Sequence, residues 1–334
     1  MRLLVLGGTA WLGGCVATTA LERGHQVTCL ARGSSGPGPA GATFVRADRD
    51  RPRAYDEVVR EQWDVVVDVS RQPGQVRHAV TALAPRSSSY VFISSGNVYA
   101  DHSEVGADES SALLPAFAGD VMQDMETYGQ AKVACEQHVL AAFGASRSLI
   151  ARVGLIGGPG DVFDRSGYWP LRFARPVGPA GRVLVPDVPD LATQVLDVRD
   201  LAAWIIESGR CARSGIFNVM GETVSLAEHL AVARTVAGHV GPVAAASQEW
   251  LVEHGVEPWM GERSLPLWLP TPQYTGFNAR DSRAARAAGL VTRPLRDTLA
   301  DVLAWELTRD PERSRQAGLS GDDERLLLQA LASG

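Results

Sequence analysis

Short apolar runs and one-faced polar stretches alternate through the first half of the chain. Leu3–Leu6, Val27–Leu30, Phe44–Val45, Val65–Val69, Tyr90–Ile93 and Leu149–Val153 are apolar with few interruptions. A strand covered on both faces needs that continuity, whereas a strand with one wet face would alternate. Between these runs, Trp11–Arg23, Tyr55–Glu61, Val76–Leu83 and Tyr128–Phe143 carry helical spacing. Gly24 and Gly144 directly follow two of them, where a helix end favours the left-handed backbone that glycine adopts without steric cost. Strand and helix in strict turn predict βαβ units. The fold class is α/β, a Rossmann doubly wound parallel sheet.

The rhythm breaks near residue 155. Residues 157–190 hold six prolines and six glycines, the composition of a loop-rich segment over a site. Val195–Ser208 returns to strand then helix, Ile216–Val219 reads as a short strand, and Leu226–Ala237 as a helix. Residues 241–278 hold five prolines and three of the eight tryptophans. The expected division is a dinucleotide-binding domain of residues 1–156 and 194–214. A smaller C-terminal α/β substrate lobe takes residues 157–193 and 215–334, ending in a helix over Asp322–Ala332.

Composition narrows the function classes. With 334 residues, 45% of them hydrophobic, and a mean hydropathy of −0.04, the chain is neither disordered nor a membrane bundle. A net charge of −6 gives no drive toward nucleic acid. Cys15, Cys29, Cys135 and Cys211 stand far apart without a C-x-x-C pair, and the seven histidines are scattered. Reduced thiols in a core are expected, with no metal and no disulfide frame. The apolar run at Met1–Leu6 is too short for an export signal, so a cytoplasmic protein with no membrane partner is expected. His102 reads as a surface residue.

The first candidate site is the loop Gly7-Gly8-Thr9-Ala10-Trp11-Leu12-Gly13, which leaves the first strand and opens the first helix. Gly7 suits the tight turn and Gly13 the close packing of helix on sheet. The first-turn N–H groups of Ala10, Trp11 and Leu12 then face a diphosphate. Ala10 stands where a middle glycine is usual. The second strand ends in Ala31-Arg32-Gly33-Ser34-Ser35 with no acid. A carboxylate there would repel a 2′-phosphate, and Arg32 would attract one. NADP(H) is therefore expected over NAD(H). Asp48, after the third strand, is placed to meet the adenine edge, and Val69, Ser70 and Val153 end strands on the same side.

The second candidate is catalytic. Tyr128 and Lys132 lie four residues apart, on one helical face. A phenol is a poor base at neutral pH, and an adjacent ammonium favours its phenolate. Ser94, Ser95 and Asn97 stand at the carboxyl end of a core strand, where open α/β sheets meet their ligands. A serine hydroxyl there can hold a carbonyl or alcohol oxygen. Arg165, Tyr168, Trp169 and Arg172, with Trp250, Trp259 and Trp268, are candidates to line a pocket.

These motifs, with Asp197-Val198-Arg199-Asp200 and Phe217-Asn218-Val219, resemble the extended short-chain dehydrogenase/reductase superfamily, in its NAD-dependent epimerase/dehydratase group. The likeness covers nearly the whole chain. It implies that Tyr128 is the acid/base, Lys132 its activator and a ribose ligand, and Ser95 the substrate hydrogen-bonder. Homodimers are common in the family, and one is expected here. Asp64–Ser70 and Val91–Tyr99 resemble a divergent epimerase/reductase-like branch that also holds a chloroplast RNA-associated protein. Sugar-nucleotide dehydratases of the family carry an Asp-Glu pair after the catalytic hydroxyl. Gly96 and Asn97 stand there instead, which argues against that chemistry. Leu155 replaces an asparagine common in sugar-nucleotide members.

The expected function is NADP(H)-dependent reduction of a small-molecule ketone, or oxidation of the alcohol. A sugar-nucleotide epimerase is the first alternative. A non-catalytic nucleotide sensor or RNA platform is the second.

Overall fold

The computed structural model describes residues 1–333. The first half builds strands β1 (Arg2–Leu6), β2 (Gln26–Ala31), β3 (Thr43–Arg46), β4 (Trp63–Asp68), β5 (Ser87–Ser95) and β6 (Ser148–Val153). Helices α1 (Trp11–Glu22), α2 (Pro73–Leu83) and α3 (Tyr128–Phe143) separate them. Gly24 at φ 76° and Gly144 at φ 70° end α1 and α3, so the two glycine stops act as the sequence suggests.

Neighbouring residues on each strand feed opposite cores. Leu3, Val5, Val65, Val67, Val91 and Ile93 pack with α1 on one face. Leu4, Leu6, Val66, Tyr90, Phe92 and Ile150 pack with α2 and α3 on the other. That division is why the strands are apolar at nearly every position. The helix expected over Tyr55–Glu61 is replaced by turns and one short 3₁₀ segment, Val58–Arg60. Seven residues with two anchors in the core, Tyr55 and Val58, are too few to hold an α-helix.

The second half departs from the expected division. Strand β7 (Leu155–Gly157) and helix α4 (Arg165–Ala174) come first, followed by β8 (Val183–Pro186) and β9 (Ala192–Asp197). Helix α5 (Val198–Arg210) leads to β10 (Gly215–Val219), β11 (Thr223–Ser225), α6 (Leu226–Ala237) and β12 (Val243–Ala246). The main sheet has seven strands in the order β10-β6-β5-β4-β1-β2-β3, all paired in parallel. Residues 215–219 therefore complete the large sheet rather than the lobe. β9 pairs instead with β7 and β11 in a separate three-stranded sheet, while α5 covers the main sheet beside α1. Neither assignment shows in local pattern, because a buried strand looks the same whichever sheet takes its hydrogen bonds.

Tyr168, Trp169, Phe173, Leu226, Trp268 and Leu327 meet in a second core that belongs to the lobe. The remaining helices are α7 (Gln248–Glu253), α8 (Arg283–Ala287), α9 (Leu295–Leu307) and α10 (Gly321–Ser333). Leu327 and Leu328 of α10 close that core, which gives the expected terminal helix a packing role. Among the described residues, no helix is long and apolar enough to cross a membrane.

Candidate active site

The carboxyl ends of β1, β2 and β4 open into a cavity of about 400 Å³. Gly7, Thr9, Ala10, Arg32, Asp48, Val69 and Ser70 line it, so seven of the expected cofactor residues share one space. Gly7 turns at φ 93°, and a Cβ on Gly13 would collide with the Gly7 carbonyl. Ala10 sits at φ −84°, a backbone that takes a methyl without strain. It gives α1 no side-chain cap, and the first turn holds no acid. The leading N–H groups of α1, at Trp11, Leu12 and Gly13, are thus left for an anion.

The side chains of Trp11 and Leu12 turn elsewhere. The Trp11 indole donates to Pro159 O at 2.9 Å, and Leu12 packs against the sheet core. At the other end of the cavity, Arg32 is exposed beside Ser34 and Ser35. Arg46 donates from Nε to the Arg32 carbonyl at 3.1 Å, a second cation beside it. The donor set fits a dinucleotide.

Beneath the cavity lies a buried ion pair that sequence reading missed. Arg49 reaches Asp68 through two bonds of 2.8 Å, and the Tyr90 hydroxyl donates to the same carboxylate at 2.6 Å. Burial alone would raise the Asp68 pKa. Arg49, Tyr90 and the Ser70 N–H outweigh it and hold the carboxyl below its ordinary range. An acid inside the run Val65–Val69 was the available signal.

The catalytic candidates meet at the ends of β4 and β5. Lys132 is buried, and its Nζ donates to Ser70 O and Ile93 O, each at 2.6 Å. Two of its three N–H bonds are thereby fixed, which leaves one for another acceptor. Its Nζ lies 5.9 Å from the centre of the Tyr128 ring. Ser95 ends β5 beside Val153, the last residue of β6. Its hydroxyl accepts from Asn97 N at 3.2 Å and faces Asn97 Oδ1 at 3.1 Å. Asn97 therefore orients Ser95. Gly129 sets the start of α3 against this turn, since a Cβ there would strike the Asn97 carbonyl.

A second buried pair braces the arrangement from behind. Arg152 binds Glu136 at 2.9 and 3.1 Å, and Ser94 donates to the same carboxylate at 2.5 Å.

Several expected lining residues stand elsewhere. Tyr168 and Trp169 are 2% and 0% exposed, and the Trp169 indole donates to Pro266 O at 2.8 Å. They pack the lobe core, which corrects their assignment to substrate. Arg172 pairs with Glu324, Trp268 is buried, and Trp250 stacks on His254 at 3.8 Å. Leu155 points into the lobe core. Arg165 keeps one face toward solvent and covers the Trp259 ring at 5.2 Å. It begins helix α4, which replaces the expected loop. Asp161 stabilises that start by accepting from the Ser166 N–H and hydroxyl at 3.0 and 2.8 Å. Cys29 and Cys135 are buried, but Cys15 is half-buried and Cys211 exposed, so the expectation of core thiols fails for those two.

His102 is not a free surface residue. Its ring lies 5.0 Å from Phe277 and 5.9 Å from Tyr274, and its Nδ1 meets Arg280 Nη2 at 2.8 Å. Burial and the Arg280 charge push its pKa down to about 4, so it is neutral at neutral pH. Residues 102 and 280 are 178 positions apart, and no local pattern joins them.

Residues 3–84 match the model of the NAD dependent epimerase/dehydratase family. The chain is 25% identical over 255 residues to the chloroplast stem-loop binding protein of 41 kDa b from Arabidopsis thaliana. That match spans 71% of this chain and 63% of the relative's length. The fold is shared with UDP-N-acetylglucosamine 4-epimerase from Bacillus cereus at 16% identity and a TM-score of 0.66, over 94% of this chain and 99% of that one. UDP-glucuronic acid 4-epimerase from the same organism, in complex with NAD, has 14% identity and a TM-score of 0.64, over 92% and 99%.

Proposed function

We propose that the chain is an extended short-chain dehydrogenase/reductase of the NAD-dependent epimerase/dehydratase group, and within it an NADP(H)-dependent reductase or dehydrogenase of a small-molecule ketone or secondary alcohol. The observation that carries the reading is Lys132, buried and pinned by two strand-end carbonyls one helical turn from Tyr128. An ammonium held in that way has one free N–H and a fixed charge beside a phenol.

In this reading the Ser95 hydroxyl, oriented by Asn97, holds the reacting oxygen of the substrate. Tyr128 Oη gives its proton to that oxygen in reduction and takes it back in oxidation. Lys132 supports the phenolate and offers its remaining N–H to a ribose hydroxyl. The nicotinamide, when bound, supplies or accepts the hydride. The α1 N-terminus holds the diphosphate, and Arg32, Ser34 and Ser35 take the 2′-phosphate.

Cofactor choice is the direct test. Titration by energy transfer from tryptophan should give about 10- to 150-fold tighter binding of NADPH than NADH, the range of a charge-assisted phosphate contact. Arg32 is exposed, so the preference should shrink with added salt. Ala31→Asp with Arg32→Asn should reverse it. Tighter binding of NADH by the unmodified protein would end the NADP assignment.

The family match favours a second reading, a sugar-nucleotide epimerase that oxidises and then reduces the same substrate. Such an enzyme retains its cofactor through the cycle. Mass spectrometry of ligand released by heat from freshly purified protein separates the two, since a tightly held dinucleotide supports the epimerase. Dehydratase chemistry is disfavoured, because neither Gly96 nor Asn97 can exchange protons. The stem-loop binding named in the plant relative would be revived here by tight, salt-sensitive RNA binding, although Tyr128 and Lys132 are both present.

A further inference from the structure

Resting on the reading of this same site as a reductase, we infer that the substrate carries an oxyanion, a carboxylate or a phosphate ester, close to its reacting carbon, and that Arg280 receives it. Three arginines are buried among the described residues: Arg49, Arg152 and Arg280. Arg49 is paired with Asp68 and Arg152 with Glu136, at 2.8 and 2.9 Å. Arg280, only 2% exposed, has no carboxylate within 4.0 Å. Its Nε and Nη1 have no hydrogen-bond partner in the protein. A buried cation left in that state is costly unless something outside the chain completes it.

The guanidinium is held firmly in place. Gln194 clamps its backbone, accepting from Arg280 N at 3.1 Å and donating to Arg280 O at 2.8 Å. Tyr99 lies beneath it, 4.3 Å from ring centre to Cζ, and His102 accepts from Nη2. Because His102 is neutral, that bond does not offset the positive charge. Burial lowers the Arg280 pKa to about 10, which keeps it charged at neutral pH.

The unpartnered Nε faces the catalytic turn. A Cβ at Gly96, the residue after Ser95, would stand 3.3 Å from Arg280 Nε. Having no side chain, Gly96 lets Arg280 and Met220 close on the turn. Arg165 is a second cation whose Nε is also unpartnered. An oxyanion beside the substrate's carbonyl would fill the Arg280 fork while Ser95 and Tyr128 hold the reacting oxygen.

The test is equilibrium titration of the protein with malonate, inorganic phosphate and pyrophosphate, with and without saturating NADPH. At least one anion should bind saturably, and Arg280→Gln should weaken it about 10- to 100-fold, the loss expected for a charge-assisted fork. Gly96→Asp places a carboxylate against Arg280 without removing it and should weaken the anion comparably. It keeps the test decisive if Arg280→Gln does not fold. Preference for malonate identifies a carboxylate substrate, and preference for phosphate or pyrophosphate a phosphoryl one. Anion binding unchanged in both variants, or no saturable binding of any of the three, would overturn the inference. A protein that binds no NADPH would defeat the reductase reading while the titration without cofactor still decides the oxyanion site.

Discussion

Tyr128→Phe is expected to reduce turnover by about 10²- to 10⁴-fold, the usual contribution of a positioned acid/base group, while cofactor binding is retained. The substitution removes one hydroxyl and keeps the ring. The start of α3 is fixed independently, because Gly129 lies against the Asn97 carbonyl and Lys132 is tied to Ser70 and Ile93. The loss should therefore fall on kcat, with NADPH affinity unchanged. Oxidation of NADPH over a panel of carbonyl compounds gives the first quantity. Energy transfer from tryptophan to bound NADPH gives the second, with Trp11 at the mouth of the phosphate loop as a reporter. A Phe variant with near-normal turnover would remove Tyr128 from the chemistry and with it the proposed reaction.

The second large effect concerns stability. Arg49→Leu should destabilise the protein by about 3–5 kcal/mol, the cost of leaving a buried carboxylate without its counter-ion. Asp68 is wholly buried, and the Tyr90 hydroxyl cannot replace a guanidinium. Replacing both partners, Arg49→Leu with Asp68→Leu, should cost clearly less, because no uncompensated charge remains. The sign of the pH dependence follows from the depressed Asp68 pKa. Its contribution is present above the unfolded carboxyl's value of about 4 and disappears as pH falls through the lower folded value. Urea denaturation should thus show the gap between wild type and Arg49→Leu at neutral pH, narrowing under acid. A gap that stayed constant into acid would mean that the pair is not the origin of the loss.

Both variants probe residues of different legibility. Tyr128 and Lys132 could be read directly, because four residues on a helix always bring two side chains to one face. Ser95 could be read because a polar group at the end of an apolar strand has one place to go in a parallel sheet. Arg49 and Asp68 left a weaker trace, an acid in an apolar run, with nothing to say that its partner lay 19 residues earlier. Tyr168 and Trp169 misled for a related reason: an aromatic side chain has the same character whether it lines a pocket or fills a core. Local sequence records that a side chain will be buried but not what will bury it.

What the sequence by itself determined is the first 150 residues: the alternation of strand and helix, the glycine turn at Gly7, the helix stops at Gly24 and Gly144, and the Tyr128–Lys132 pair. Each rests on backbone geometry or on contacts within a few residues, which the order of side chains dictates. The tertiary structure alone decided the rest. It placed β10 in the large sheet and β9 in the small one, turned Trp169 inward, and brought Arg280 beside Gly96 and His102. Those contacts join positions from 40 to more than 170 residues apart. Their stability comes from apolar area and hydrogen bonds that exist only once both partners are in place.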